Sequence, residues 1–141
     1  MKIGVTTFGM SGKPLMEVLP LIAALGAEAS RDYLLAVSDR HNMESLFDLA
    51  FCTEEFGAGC ADEMIEEVMH RAEVNPSETL VLGTRPDFFQ AARNHDVITI
   101  GCGWGLHRHE ALAEADLQSL TLANILPSLE KADAMAARYL A

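Results

Sequence analysis

The fold is decided by the segment Glu78-Thr79-Leu80-Val81-Leu82-Gly83-Thr84-Arg85-Pro86-Asp87-Phe88-Phe89-Gln90-Ala91-Ala92-Arg93. Its apolar run, which ends at Gly83, predicts a buried strand, and Pro86 predicts the first turn of a helix. Open α/β folds bind ligands at the carboxyl ends of their strands. The short loop at Thr84 and Arg85 is therefore the first place to expect chemistry.

Composition limits the classes of protein that this chain can represent. With 141 residues, of which 50% are hydrophobic, the chain can bury the core of one domain, and we predict a single domain over residues 1–141. A formal net charge of −11 argues against nucleic acid and against anionic membrane surfaces as partners, because both attract basic side chains.

The compartment is predicted from the cysteines and the N-terminus. No apolar run has the length of a transmembrane helix, and the chain enters a strand-like segment at once, so we expect no signal peptide. Three widely spaced cysteines, Cys52, Cys60 and Cys102, do not suggest a disulfide framework. A reducing, cytoplasmic location is the simplest expectation.

Strand-like and helix-like segments alternate along the chain. The patterns predict strands at 1–6, 33–38, 49–52, 79–82 and 97–100, and helices at 14–25, 42–47, 61–72, 87–94, 108–115 and about 121–140. Such alternation is typical of the α/β class, here a three-layer sandwich with helices on both faces of a parallel sheet.

The segment quoted first closely resembles the fourth motif of the haloacid dehalogenase (HAD) superfamily. In phosphoglycolate-phosphatase-like members this motif reads roughly Gly-Asp-Thr-x-x-Asp-x-x-Ala-Ala-Arg, and the Gln-Ala-Ala-Arg ending here matches it. Both acidic positions differ, because Thr84 and Phe88 stand where the aspartates belong. The resemblance implies a family scaffold with a changed magnesium site.

The first and third motifs of the family are also altered. Thr6-Thr7-Phe8-Gly9-Met10 resembles Asp-x-Asp-Gly-Thr, but Thr6 takes the place of the nucleophile and Phe8 that of the acid/base residue. Counting back from Val74-Asn75-Pro76, the lysine of the third motif falls at Gly59 or Cys60 and is missing.

Other strings keep the family order. Ser38-Asp39-Arg40 resembles the second motif, in which a serine or threonine closes a strand, and Gly101-Cys102-Gly103-Trp104-Gly105 resembles a later one. The resemblance runs from Met1 to about Glu130 and implies a Rossmann-like HAD core. The core is expected to be capless, because the stretch from Gly9 to Pro14 leaves no room for a cap domain.

These substitutions imply that family phosphatase activity is lost. Aspartyl phosphoryl transfer needs a carboxylate nucleophile, a second carboxylate, a lysine and Mg²⁺ held by hard oxygen ligands. Thr6 and Thr84 are neutral, and Phe8 cannot transfer a proton. We expect a pseudophosphatase that acts as a binding or regulatory module, without a metal or other cofactor. The alternative is a weak phosphomonoester hydrolase, which would need Mg²⁺.

A binding role leaves the ligand open. A small anion could be held by Ser38, Arg40, Thr84 and Arg85 at the ends of strands, or these residues could simply end strands and face solvent. A protein partner is the other expectation. An apolar stripe over 122–140 must be covered by the sheet, a partner or a second copy, so a homo-oligomer also stays open.

Alternative sites and folds fit less well. Cys102, His107 and His109 are zinc-ligand types at a spacing that matches no structural zinc site, and a Cys102–His107 nucleophilic pair is less expected than packing of the thiol. The acidic pairs are expected to form a solvated face and not a calcium site, because they lack the EF-hand ligand register; these pairs are Glu54-Glu55, Asp62-Glu63 and Glu66-Glu67. Receiver and dinucleotide-binding domains lack their acidic and glycine signatures here.

Overall fold

A single open sheet is formed by β1 (Ile3–Gly9), β2 (Ala23–Ala27), β3 (Leu49–Cys52), β4 (Thr79–Gly83), β5 (Ile98–Cys102) and β6 (Leu117–Ser119). Its strand order is β3-β2-β1-β4-β5-β6. The computed structural model describes residues 3–9, 23–27, 30–47, 49–56, 61–104 and 109–140, with the backbone alone for β1 and β2.

The described α-helices are α1 (Arg31–Arg40), α2 (Ala61–Ala72), α3 (Pro86–Asn94) and α4 (Ile125–Leu140). Short 3-10 turns occupy Glu44–Leu46, Thr53–Glu55, Pro76–Glu78, His109–Glu114 and Leu122–Asn124. Within the described part of the chain, no helix is both long and apolar enough to cross a membrane.

Strand β4 separates two apolar layers. Every residue of β4 is buried. Because successive side chains of a strand point to opposite faces, Val81 packs in one cluster with α2 and α3, and Leu80 and Leu82 pack in another with α4. Helices therefore cover both faces of the sheet, which confirms the predicted three-layer α/β class.

The structure departs from a wholly parallel sheet at one strand. β4 pairs with β5 and β5 with β6 in parallel, and β2 pairs with β3 in parallel. β1, however, runs antiparallel to both of its neighbours, β2 and β4. All strands except β1 thus run in one direction and end at a common edge, which we call the carboxyl edge. The last residues of β1 lie at the opposite edge, the amino edge.

The strand predicted over 33–38 is wrong, because these residues belong to α1. The Ser30 hydroxyl accepts a hydrogen bond from the Tyr33 N–H at 3.3 Å and caps the helix. Leu34 is the buried residue of α1, whereas Leu35 is 53% exposed. The apolar run therefore forms a helix that is largely open to solvent instead of a buried strand.

Part of the helix predicted over 14–25 is also wrong. Ala23–Ala27 is a strand that pairs on both sides, with β1 and β3. Alanine favours helices, but pairing in the middle of a sheet overrides this weak local preference. Residues 10–22, which include the predicted capless connection after Gly9, lie outside the described residues.

Several predicted boundaries are confirmed or shift slightly. The helix over 61–72 and the strand over 49–52 have the predicted limits, and the strand over 97–100 is shifted to Ile98–Cys102. The helices predicted at 42–47 and 108–115 are 3-10 turns, and β6 had no strand prediction because it is only 3 residues long.

The C-terminal helix packs on its own sheet over much of its length. Leu129, Ala132 and Ala136 are buried against β4 and β5, so this packing extends well past Glu130. Leu122 and Leu126, which the stripe placed on the same face, are exposed instead.

Two neighbouring glycines should differ in their tolerance of a methyl group. A Cβ at Gly103 would lie 2.8 Å from the Leu120 Cα, which is backbone, whereas at Gly101 it would lie 3.2 Å from the side chains of Ala115 and Leu112. We expect Gly103→Ala to lower the free energy of unfolding by about 1–3 kcal/mol, as overpacking does, and Gly101→Ala to lower it less. Urea denaturation of both variants measures this, and a larger loss for Gly101→Ala would contradict the packing described.

Candidate functional site at the carboxyl edge

The ends of β4, β5 and β6 present neutral side chains. Gly83 of β4 pairs with Gly101 of β5, so the next residues, Thr84 and Cys102, are neighbours at this edge. Cys102 in turn pairs with Ser119 of β6. Thr84 is 8% exposed, and Cys102 and Ser119 are also buried. The Ser119 hydroxyl donates to the Thr121 carbonyl oxygen at 3.1 Å. This part of the edge therefore offers hydroxyl and thiol groups where phosphoryl transfer would need carboxylates.

The Cys102 thiol is held in its neutral form. Burial raises its pKa from 9.0 to about 11, and a backbone hydrogen bond from Gly83 opposes this shift only in part. Its sulfur lies 3.8 Å from the Ile100 carbonyl oxygen, to which the S–H can donate. Because the thiolate is the nucleophile, this raised pKa disfavours attack by Cys102 and agrees with a packing role for its buried side chain.

Arg85 is fixed by its own neighbours. Its Nε donates to Asp87 Oδ1 at 2.9 Å, and its Nη2 bonds to Asp87 Oδ2, which makes a two-point contact. The guanidinium carbon lies 5.4 Å from the centre of the Phe88 ring, a cation–π distance. Phe88 is itself buried in the core. The Asp87 carboxylate therefore offsets the charge that Arg85 was predicted to offer to an anion.

The other side of the edge is also neutralised internally. The Glu54 carboxylate accepts from the Arg31 backbone N–H at 2.7 Å, at the start of α1. Glu55 pairs with the Arg31 guanidinium and accepts from the Cys52 N–H at 3.1 Å. Glu54 and Glu55 are exposed, as predicted for a solvated face, and in addition they make these contacts at the start of α1. A helix N-terminus attracts anions, and here a carboxylate of the chain already occupies it.

Ser38 and Arg40 do not join this edge, contrary to the sequence prediction. Both lie on α1, where Arg40 is exposed and Ser38 lines a cavity of about 340 Å³ beside Leu34 and Phe47. α1 packs on β3, which is three strand positions from β4 in the sheet, or about 14 Å at ~4.8 Å per strand. The four residues predicted to hold an anion are therefore divided between two places.

Ser30 is the residue that the sequence reasoning missed. It follows β2 and precedes α1, which is the strand–serine–helix arrangement that was assigned to Ser38. One signal pointed to it, the string Ser30-Arg31-Asp32, in which a capping serine is followed by an acidic residue in the first helical turn. The Ala-rich composition of β2 hid the strand before it.

The remaining predicted positions do not converge on Thr84. In the antiparallel pairing of β1 with β4, Thr6 lies opposite Leu82 and Phe8 opposite Leu80. Phe8 is thus displaced from Thr84 along the sheet by roughly 13 Å, at about 3.3 Å per residue. Gly59 and His107 lie outside the described residues, and nothing is described of the His109 side chain.

The donors at this edge do not fit Mg²⁺, which the HAD resemblance implies. Mg²⁺ prefers hard oxygen ligands, above all carboxylates. Thr84 and Ser119 are neutral, Cys102 is a protonated thiol, and Asp87 is bound to Arg85. Among the residues that the structure describes, no group of three or more His, Cys, Asp or Glu side chains could hold a metal ion.

Comparison with solved structures supports the HAD-like fold. The chain is similar to a haloacid dehalogenase-like family hydrolase from Streptococcus pneumoniae, with a TM-score of 0.58 and 14% sequence identity over 65% of this chain. This chain spans 44% of the length of that protein. No protein family profile and no curated protein matches the sequence. At this identity the likeness concerns the fold alone, and it agrees with the α/β architecture described above.

Cys102 should react with alkylating reagents only at high pH. Because burial raises its pKa to about 11, its thiolate fraction at pH 8 is about a hundredfold lower than that of a thiol at the ordinary value. Alkylation by iodoacetamide, followed for each cysteine peptide by mass spectrometry, should rise for Cys102 towards pH 11 in the folded protein. Fast alkylation of folded Cys102 at pH 8 would contradict this assignment.

Glu54→Gln should destabilise the protein through the start of α1. Loss of the charge that faces the Arg31 N–H is expected to cost about 0.5–1 kcal/mol, the usual size of such a contact at a helix N-terminus. Glu66→Gln, on an exposed position of α2, is the matched control and should change the free energy of unfolding little. Urea denaturation at low and high salt tests this, because the difference should shrink when salt screens the charge.

Proposed function

We propose that this chain is a catalytically inactive HAD-like protein that acts as a binding or regulatory module. The observation that carries the proposal is the neutral end of three parallel strands, where Thr84, Cys102 and Ser119 are buried together. No carboxylate nucleophile or proton-transferring carboxylate stands among these three side chains. The ion pairs of Arg31 and Arg85 support the same proposal, because the positive charges of this edge face carboxylates of the chain itself.

A protein partner fits this edge better than a small anion. Trp104 follows β5, Leu120 follows β6, Leu122 lies in the 3-10 turn before α4, and Leu126 lies in the first turn of α4; we call these four residues the edge patch. Gly103 contacts the Leu120 backbone, so the two loops meet. Trp104 is 41% and Leu122 67% exposed, and we propose that the side chains of the edge patch form one apolar surface of the kind found at interaction sites. The partner that we propose is a second copy of the chain, which presents the same patch.

A weak phosphomonoester hydrolase is the second candidate. It is favoured by the similarity to a protein whose name describes it as a hydrolase. Such an activity would need Mg²⁺, and the donor set at Thr84 does not fit that ion, so we rank this candidate lower.

The inactive assignment predicts no turnover of phosphomonoesters. With p-nitrophenyl phosphate and a panel of phosphomonoesters, in Mg²⁺ or Mn²⁺, the wild-type rate should equal that of Thr84→Ala and of the buffer. Because Phe8 lies opposite Leu80, replacing Thr6, Phe8 and Thr84 by aspartate should not create activity either. Robust wild-type turnover that is lost in Thr84→Ala or Thr6→Ala would establish the hydrolase instead.

The edge patch predicts association that depends on concentration. The molecular mass by light scattering should rise with protein concentration, and the emission of Trp104, the only tryptophan, should shift to the blue as the patch is covered. Because the net charge of −11 repels a second copy, added salt should strengthen the association.

Leu122→Ser should weaken this association, whereas Leu35→Ser, at an exposed leucine of α1, should leave it unchanged. A constant monomer mass with unchanged Trp104 emission at every concentration would show that the patch does not bind a second copy.

A further inference from the structure

A cavity of about 520 Å³ opens at the amino edge, on the side of the sheet away from Thr84 and Arg85. It is lined by the 3-10 turn Pro76–Glu78, the end of α3 and the loop to β5, the start of β5, the segment before β6 and the C-terminal part of α4. We call it the amino-edge cavity. Its volume lies within the range of about 300–1,000 Å³ that small-molecule sites occupy.

The floor of the amino-edge cavity is apolar. Val97, Ile98 and Ala136 line it and are buried, and Met135 is half-buried beside them. Methionine is flexible and adapts to ligands of different shape. This floor can therefore take a short hydrocarbon chain or ring.

The charged groups of the cavity are Asp96, Asp116 and Arg93. Arg93 is offset by Glu114, since its Nη2 donates to the Glu114 carbonyl oxygen at 2.8 Å and lies 3.8 Å from the Glu114 carboxylate. Among the residues that the structure describes, neither aspartate forms an ion pair. The opening is therefore negative, which favours a positive ligand.

The Asp116 carboxylate is held in place by Thr99 and can still accept further hydrogen bonds. Its Oδ2 accepts from the Thr99 N–H and the Thr99 hydroxyl, both at 2.9 Å. An ionised carboxylate offers about four acceptor positions. A second donor can thus approach the same carboxylate without breaking the contact that supports β5.

From this arrangement we propose that the amino-edge cavity binds a small organic cation, a primary amine joined to a short apolar body. The ammonium group lies between the carboxylates of Asp96 and Asp116, and the apolar body lies on Val97, Ile98 and Met135. This site is separate from the carboxyl edge, so it stands whether or not the proposed function holds.

Three probes with one chain length test the proposal: n-hexylammonium, 1-hexanol and hexanoate. Amide shifts in ¹⁵N-labelled protein should show saturable binding of hexylammonium at Val97, Ile98 and Met135, weaker binding of hexanol and none of hexanoate. Equal binding of hexanol and hexylammonium, or shifts confined to the carboxyl edge, would overturn it.

Asp96→Asn tests the charge with little risk to the fold. Asp96 has a φ of 57°, a left-handed conformation that asparagine also tolerates well. The variant should weaken hexylammonium binding about fivefold, the factor for a partly exposed charge pair of about 1 kcal/mol. Asp39→Asn, on exposed α1, makes the same change in net charge and should leave the affinity unchanged. Equal affinities of the two variants would overturn the proposal.

Discussion

In the described part of the chain, α2 and α3 on one face and α4 on the other all pack against β4, whose residues Thr79–Gly83 are all buried. Val81 faces the cluster of α2 and α3, and Leu80 and Leu82 face α4. A short strand that is apolar on both faces can be satisfied only between two helical layers. The Asn75 and Glu78 capping box, with Glu78 accepting from the Asn75 N–H at 2.9 Å, fixes the turn from which β4 starts. Burial of β4 therefore determines where its end, Thr84, is presented.

The chain has an α/β sheet, but the side chains at its carboxyl edge are not those that phosphoryl transfer needs. In an α/β sheet, the ends of parallel strands place side chains together for a reaction. Here that edge carries neutral groups, and its positive side chains face Asp87 and Glu55. These internal ion pairs and the exposed Trp104 and Leu122 are the basis for the proposal that this edge recognises an apolar surface.

Local sequence was sufficient where one physical pattern dominated. The helix Ala61–Ala72 and the strand Thr79–Gly83 followed from clear periodicity and a continuous apolar run. It failed for Tyr33–Ser38, because an apolar run of that length fits a buried strand or a helix equally well, and only Ser30 marks the helix start. That error moved the predicted anion site to Ser38 and hid Ser30. The direction of β1 could not be predicted, because it depends on pairing with β2 and β4, which are distant in sequence.

The reversed direction of β1 keeps Phe8 from joining Thr84, and backbone NMR tests it directly. The pairing described here predicts cross-strand NOEs between Thr6 and Leu82 and between Phe8 and Leu80. A parallel β1 would instead run in the direction of β4, with the start of β1 nearer Thr79 and its end nearer Gly83. Cross-strand NOEs of that second kind would contradict the separation of these positions and would restore a convergent edge.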